Sequence, residues 1–341
     1  GIALYELNGN ANDTCGTYNG TATSVTWLNN GVGFQPDLVW IKSRTSTLNH
    51  IVFDSVRGAG KVLYPNLTYV ADDVGDYWLS SFDNNGFTVN VVGGGGSNQS
   101  GVNYVAWNWK GAEIPAINSN GSIPSVVSAN PAAGFSIVSY TGNGANATIG
   151  HGLENAPSMV IVKNRQDSAE NWNCWHTGLS GYNYRILLNQ TAAEDGTSPT
   201  IWNSNIDPTS LTFSVGTAPG TNGSGNSMIA YCFAEVAGFS KFGSYTGNGS
   251  ASGPTIDCGF EPAFIMFKGS SIATEWGIFD NKRDTVNPNT AVILAQSAQA
   301  EAQATGGGVN FLSNGFQLND NNSNRNASGQ TYIYMAFANQ F

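Results

Sequence analysis

Charge is scarce in this chain. Only 11% of its 341 residues are Asp, Glu, Lys or Arg, well under the usual quarter or so. Thirteen basic against 23 acidic side chains give a formal net charge of −10. With no basic cluster, no nucleic-acid partner is expected. The four cysteines, Cys15, Cys174, Cys232 and Cys258, form no C-x-x-C pair, so free buried thiols are expected rather than a disulfide frame or zinc site. His50, His151 and His176 stand far apart, which argues against a histidine-rich metal site. No apolar run reaches the roughly 18 residues of a membrane helix, so no membrane insertion is expected. No Gly-x-Ser-x-Gly elbow occurs, and no carboxylate pair recurs as glycoside hydrolysis requires. Gly93 to Gly96 lack a following Gly-Lys-Ser/Thr, so they read as a hairpin tip rather than a phosphate loop. These absences predict a non-enzymatic protein without metal, cofactor or catalytic residues. The chain opens at Gly1 without an initiator Met, as expected of a processed or partial product.

Polarity is carried instead by Asn, Ser, Thr and Gly, with Gly at 42 positions. That composition suits an all-β extracellular surface. Ser139-Tyr140-Thr141-Gly142-Asn143-Gly144 recurs as Ser244-Tyr245-Thr246-Gly247-Asn248-Gly249. A copied hexapeptide at a domain-sized offset signals repeats. Pro157 to Lys163 and Pro262 to Lys268 are apolar runs of one design, and Pro36-Asp-Leu-Val-Trp-Ile-Lys42 is a third. Val52-Phe53-Asp54 and Ile278-Phe279-Asp280 follow their prolines at equal distance. Each unit closes on Asn-x-Ser-Gly and an aromatic run, at Asn98, Asn222 and Asn326.

The fold class predicted is all-β, three tandem β-sandwich (jelly-roll-like) repeats. Repeat one is placed at 1–110, repeat two at 131–236 and repeat three at 237–341. The proline-rich segment 111–130 reads as a semi-extended linker, about which unit one is expected to swing. Two helical stretches are expected, a turn at Val56 to Leu63 and a longer helix in the Ala- and Gln-rich Ala291 to Ala304, whose first residues, Ala291 to Leu294, also read as a strand of unit three. The opening Leu7-Asn8-Gly9-Asn10-Ala11 resembles the first strand and loop of laminin-G or concanavalin-like domains.

Among candidate sites, Lys42, Lys163 and Lys268 read as strand-end charges that blunt an edge or pair locally. Asp54 with Arg57, and Asp280 with Arg283, read as salt bridges at turns. His176 and Leu179 replace them in unit two. Asp13, Asp83 and the loop Asn319-Asp320-Asn321-Asn322 offer oxygen ligands for calcium, but read as polar tips. Trp40, Trp107, Trp172 and Trp276 recur in register with apolar residues and are expected in the core. Trp27 and Trp202 lie in looser segments and are the aromatic candidates for stacking on a glycan. The loops 44–49, 166–171 and 269–274 differ between units at one scaffold position, where recognition is usually placed.

The chain resembles the repeat-bearing structural proteins of marine tailed bacteriophages. The motifs are Gly33-Phe-Gln-Pro-Asp-Leu-Val-Trp-Ile-Lys42, Phe53-Asp-Ser-Val-Arg-Gly58, Ser-Tyr-Thr-Gly-Asn-Gly and Ala327-Ser-Gly-x-Thr-Tyr-Ile-Tyr-Met-Ala-Phe337. The resemblance implies a virion-surface, extracellular location as a tail fibre or as a capsid fibre or decoration. It implies other virion proteins as partners, a homo-oligomer such as a trimer, and contact with host surface polysaccharide. The alternatives are a tailspike-type polysaccharide-degrading enzyme and a purely architectural capsid decoration.

Overall fold

The computed structural model describes residues 2–7, 11–12, 19–20, 32–90, 96–112, 114–197, 200–203 and 206–339. The described chain is nearly all strand, and its named strand pairs are antiparallel. Three large sheets repeat one order. In each, an opening strand pairs with the closing strand, which pairs with the strand after the recurring proline, which pairs with a flanking strand. For the first sheet these are Ile2–Leu7, Tyr104–Trp109, Leu38–Ser43 and Ile51–Asp54. For the second they are Phe135–Thr141, Ser227–Phe233, Met159–Asn164 and Asn173–His176. For the third they are Ser240–Thr246, Thr331–Phe337, Phe264–Gly269 and Gly277–Asp280.

Smaller strands cover one face of each large sheet. In unit three the sheet Thr255–Asp257, Gly315–Leu318 and Val309–Leu312 packs Ile256, Phe316 and Phe311 against Ile265, Phe267 and Tyr334. In unit one the hairpin Leu79–Asp83 with Gly86–Val89 brings Leu79 and Phe87 onto Val39, Ile41 and Phe53. In unit two Ala147–Gly150 pairs with Thr212–Val215.

The opposite face of each large sheet turns to the other two units. Leu38 and Trp40, Met159 and Ile161, and Phe264 and Met266 alternate with the residues facing their own sandwich, and all join one shared core. Side chains alternate across a strand, so each such strand serves two cores. That is why Leu38–Ser43, Met159–Asn164 and Phe264–Gly269 are buried at every position.

Several expectations are corrected. Segment 111–130 is not a free linker: Ala116–Asn118 and Ser125–Asn130 pair with each other and onto Phe135–Thr141, extending the second sheet. Unit one does not swing, because Trp109 packs between Phe233, Phe264 and Phe337 of its neighbours. Ala291 to Ala304 is no helix: the strand expected at Ala291–Leu294 is present and adds to the third sheet, and Ala302–Gln303 adds to it in turn. Helix propensity of Ala and Gln is a weak prior that a sheet edge overrides. Val56 to Leu63 is a turn leading into the short strand Lys61–Val62. Ile2–Leu7 is the opening strand of the first sheet, as expected, and Asn8 to Asn10 lie outside the described residues. Leu7 pairs with Tyr104, as Tyr140 pairs with Met228 and Tyr245 with Tyr332.

Candidate functional site: the three-way junction

Trp109, Phe233 and Phe337 hold the same register position at the ends of the three closing strands. Their rings meet pairwise, with centroids 6.0 Å apart for Trp109–Phe233, 6.1 Å for Trp109–Phe337 and 6.0 Å for Phe233–Phe337. Three equivalent residues in mutual contact define a pseudo-threefold axis. A small cavity of about 20 Å³ adjoins it, lined by residues such as Trp109, Phe233, Phe264 and Met335.

Three further sets of contacts repeat around this axis. The first is backbone to backbone. Ala71 N–H donates to Arg165 O at 2.9 Å, Glu194 N–H to Ser270 O at 2.9 Å, and Glu301 N–H to Arg44 O at 2.8 Å. The acceptors each lie two residues past the recurring lysine. The three bonds run from unit one to two, two to three, and three to one, so the ring closes on itself.

The second set uses the residue immediately before each flanking strand. Trp172 Nε1 donates to Tyr64 O at 3.0 Å, and Trp276 Nε1 donates to Leu187 O at 2.9 Å. His50 takes this place in unit one, with Nε2 3.0 Å from Leu294 O. Trp40 Nε1 donates to His50 Nδ1 at 2.9 Å, which leaves Nε2 as the protonated nitrogen. Burial, and then the nearby Lys42 charge, hold the His50 pKa well below its ordinary value.

The third set involves the last residue of each flanking strand: Asp54, His176 and Asp280. Tyr231 donates its hydroxyl to Asp54 Oδ2 at 2.7 Å, and Trp107 Nε1 donates to Asp280 Oδ2 at 3.2 Å. Arg57 and Arg283 complete these sites, each Nε 2.5 Å from the same carboxylate oxygen with no side-chain exposure. Unit two departs as a group. His176 replaces Asp, Leu179 replaces Arg, and Met335 stands where Tyr231 and Trp107 stand elsewhere. Met335 cannot donate, so no acceptor is required. The imidazole Nδ1 accepts from Gly178 N–H at 2.9 Å, and Nε2–H donates to Tyr334 O at 3.0 Å. Burial lowers the His176 pKa to about 4. Both charged members, Asp and Arg, are lost together, and the neutral aromatic donor goes with them, as expected where an unpaired buried charge costs several kcal/mol.

Lys42, Lys163 and Lys268 sit on central strands, not at open edges, which corrects the edge-blunting expectation. All three are fully buried. Each ammonium donates to the carbonyl of its own successor, Ser43, Asn164 or Gly269, at 2.7 to 2.9 Å. Lys268 also reaches Thr191 O of unit two at 3.0 Å. Burial lowers their pKa values to about 8, about 8 and about 7 respectively.

The predicted glycan-stacking residues fare differently. Trp202 is fully buried, tilted against Tyr182 at 5.9 Å, so it presents no face to a ligand. Its surrounding turn is polar, but the indole itself fills the core of unit two. Trp27 and Asp13 lie outside the described residues. Asp320 is buried, with Oδ2 bound by Arg325 at 2.5 Å and Oδ1 accepting from Asn322 N–H, so both oxygens a cation would need are taken. Asp83 accepts from Thr88 Oγ1 at 2.7 Å. Among the described residues, no group of three His, Cys, Asp or Glu side chains is placed to hold a metal. The loops 44–49, 166–171 and 269–274 begin at the junctions, where Arg44 forks onto Glu301 Oε1 and Oε2 at 2.9 Å each.

The family described as "Domain of unknown function (DUF7483)" matches residues 12–340. The chain belongs to this family. No curated protein and no solved structure matches it.

Tyr231 and Trp107 were not singled out as functional by sequence. Their signal was a coupled change: His176 and Leu179 replace Asp and Arg in unit two, and Met335 of unit three replaces the aromatic donor that would face them.

Proposed function

We propose that this DUF7483 chain is a non-enzymatic structural protein of a virion exterior, as a tail fibre or a capsid fibre or decoration. The observation that carries the reading is the use made of the repeated charged residues. Asp54, Arg57, Asp280, Arg283 and the three lysines are all buried or nearly so, and several join one unit to the next. The positions that a repeated enzyme would spend on chemistry are here committed to closing a ring. The motif resemblance to marine tailed-phage structural proteins supplies the location. Host surface polysaccharide is the proposed outside contact, and other virion proteins the proposed partners. The ring closes within one chain, so the homo-oligomer implied by the resemblance would arise from ring-to-ring contact.

Imaging intact particles with an antibody against the chain tests this. Label on tail fibres or capsid surface is the expected result. Absence of the chain from purified particles would sink the reading.

A further inference from the structure

We propose that Tyr69, Tyr64 and Trp78 form a binding platform for neutral hexose units of a polysaccharide, a site that deepens the glycan contact proposed above and rests on it. The threefold register shows what the ring itself requires. Ala71, Glu194 and Glu301 are equivalent, since their N–H groups make the same junction bond. Two residues earlier stand Tyr69, Ala192 and Gln299. Val70 matches Ala193 and Ala300, and Tyr64 matches Leu187 and Leu294, whose carbonyls take the same donor. Ring closure therefore proceeds with alanine or glutamine where unit one carries tyrosine.

Tyr69 is 57% exposed. Its ring meets Tyr64 edge-on at 5.9 Å and 78°, and Tyr64 meets Trp78 edge-on at 6.3 Å and 83°. The three rings form a fixed ladder from solvent to the half-buried Trp78, a geometry that holds rings in place without covering them. Fixed, exposed aromatic surface suits the C–H face of a pyranose. Asp72 is exposed beside the ladder, and among the described residues it accepts no side-chain hydrogen bond. Its carboxylate is an acceptor for sugar hydroxyls. Asp76 is exposed nearby as well, while Asp73 is paired with Lys61, so the carboxylates unpaired among the described residues repel an anionic polymer and not a neutral one.

The test is calorimetric titration of the intact chain with neutral glucan, mannan and galactan oligosaccharides, with alginate oligosaccharide as the anionic probe. Variants are Tyr69→Ala, Asp72→Asn and, as control, Val286→Ser, which lies exposed on unit three. Alanine at position 192 of the same scaffold indicates that Tyr69→Ala folds; circular dichroism confirms it. The expected result is binding of at least one neutral probe, weakened about tenfold by Tyr69→Ala and also by Asp72→Asn, unchanged by Val286→Ser. Neutral binding that Tyr69→Ala leaves intact overturns this site but keeps the glycan contact. No binding by the wild-type chain to any probe, alginate included, overturns the site and the glycan contact together, while the virion location stands on its own imaging test. Preference for alginate overturns the neutral class.

Discussion

Tyr231 gives its hydroxyl proton to Asp54 across 2.7 Å, although 177 residues separate them and they belong to different units. Arg57 holds the same oxygen from the other side. The Arg57 backbone N–H also donates to Asp54 Oδ1, so Tyr231 is the one donor from another unit, and its loss leaves a buried carboxylate one hydrogen bond short. Tyr231→Phe is expected to destabilise the chain by about 1.5–3 kcal/mol, the range for a hydrogen bond to a charged group. Asp54→Ala, which leaves Arg57 buried without its anion, is expected to cost about 3–5 kcal/mol. Urea denaturation of the variants measures both. Equal, negligible effects would mean that the contact does not join the units.

The shared core makes a statement about cooperativity. Trp109, Phe233 and Phe337 touch one another and are all buried. Calorimetry is expected to show a single unfolding transition for the three units. Phe337→Ala should shift the whole transition and cost about 3–5 kcal/mol. Separate transitions, with only one moved by the substitution, would show three independent domains.

Acid should weaken the ring through His176. Its pKa is about 4 in the folded chain because of burial, against about 6.5 when unfolded. Between these values the unfolded chain binds a proton that the folded chain refuses. Stability is therefore full above about pH 6.5 and falls as pH drops toward 4, by about 3 kcal/mol. His50 is lowered too and acts in the same direction. His176→Gln keeps a donor without a titrating ring. Denaturation midpoints measured from pH 7 to 4 should fall less steeply in that variant. An unchanged slope would remove His176 from the account.

The buried lysines make a prediction about reactivity. Lys42, Lys163 and Lys268 have no exposure, whereas Lys61 and Lys241 have side chains 41% and 38% exposed. Brief amine acetylation of the folded chain, read by mass spectrometry, should modify Lys61 and Lys241 and spare the other three. Rapid labelling of Lys268, whose low pKa favours the free amine, would mean that the junction with unit two opens readily.

Much of this was legible in the sequence because repetition is local. The recurring Pro-to-Lys runs and aromatic closing runs each specify a strand, and their equal spacing fixes equal sheets. The same reading placed Trp40, Trp107, Trp172 and Trp276 in the core, where they are. It misjudged segments whose state depends on a distant neighbour. Ser125–Asn130 is a strand only because Phe135–Thr141 offers an open edge, and Ala302–Gln303 only because Ala291–Leu294 does. Trp202 looked available because its flanking residues are polar, yet burial belongs to the side chain's surroundings, not to its neighbours in sequence.

What the sequence alone determined is the strand set: alternation, turn glycines and recurrence act over a few residues, so their physics is written in order along the chain. What only the tertiary structure decided is the ring. Asp54 meets Tyr231, Asp280 meets Trp107 and His176 meets Tyr334 across separations of 177, 173 and 158 residues. Those contacts exist because each large sheet has a second apolar face that must be taken from water, and two neighbouring sheets of the same kind are what cover it.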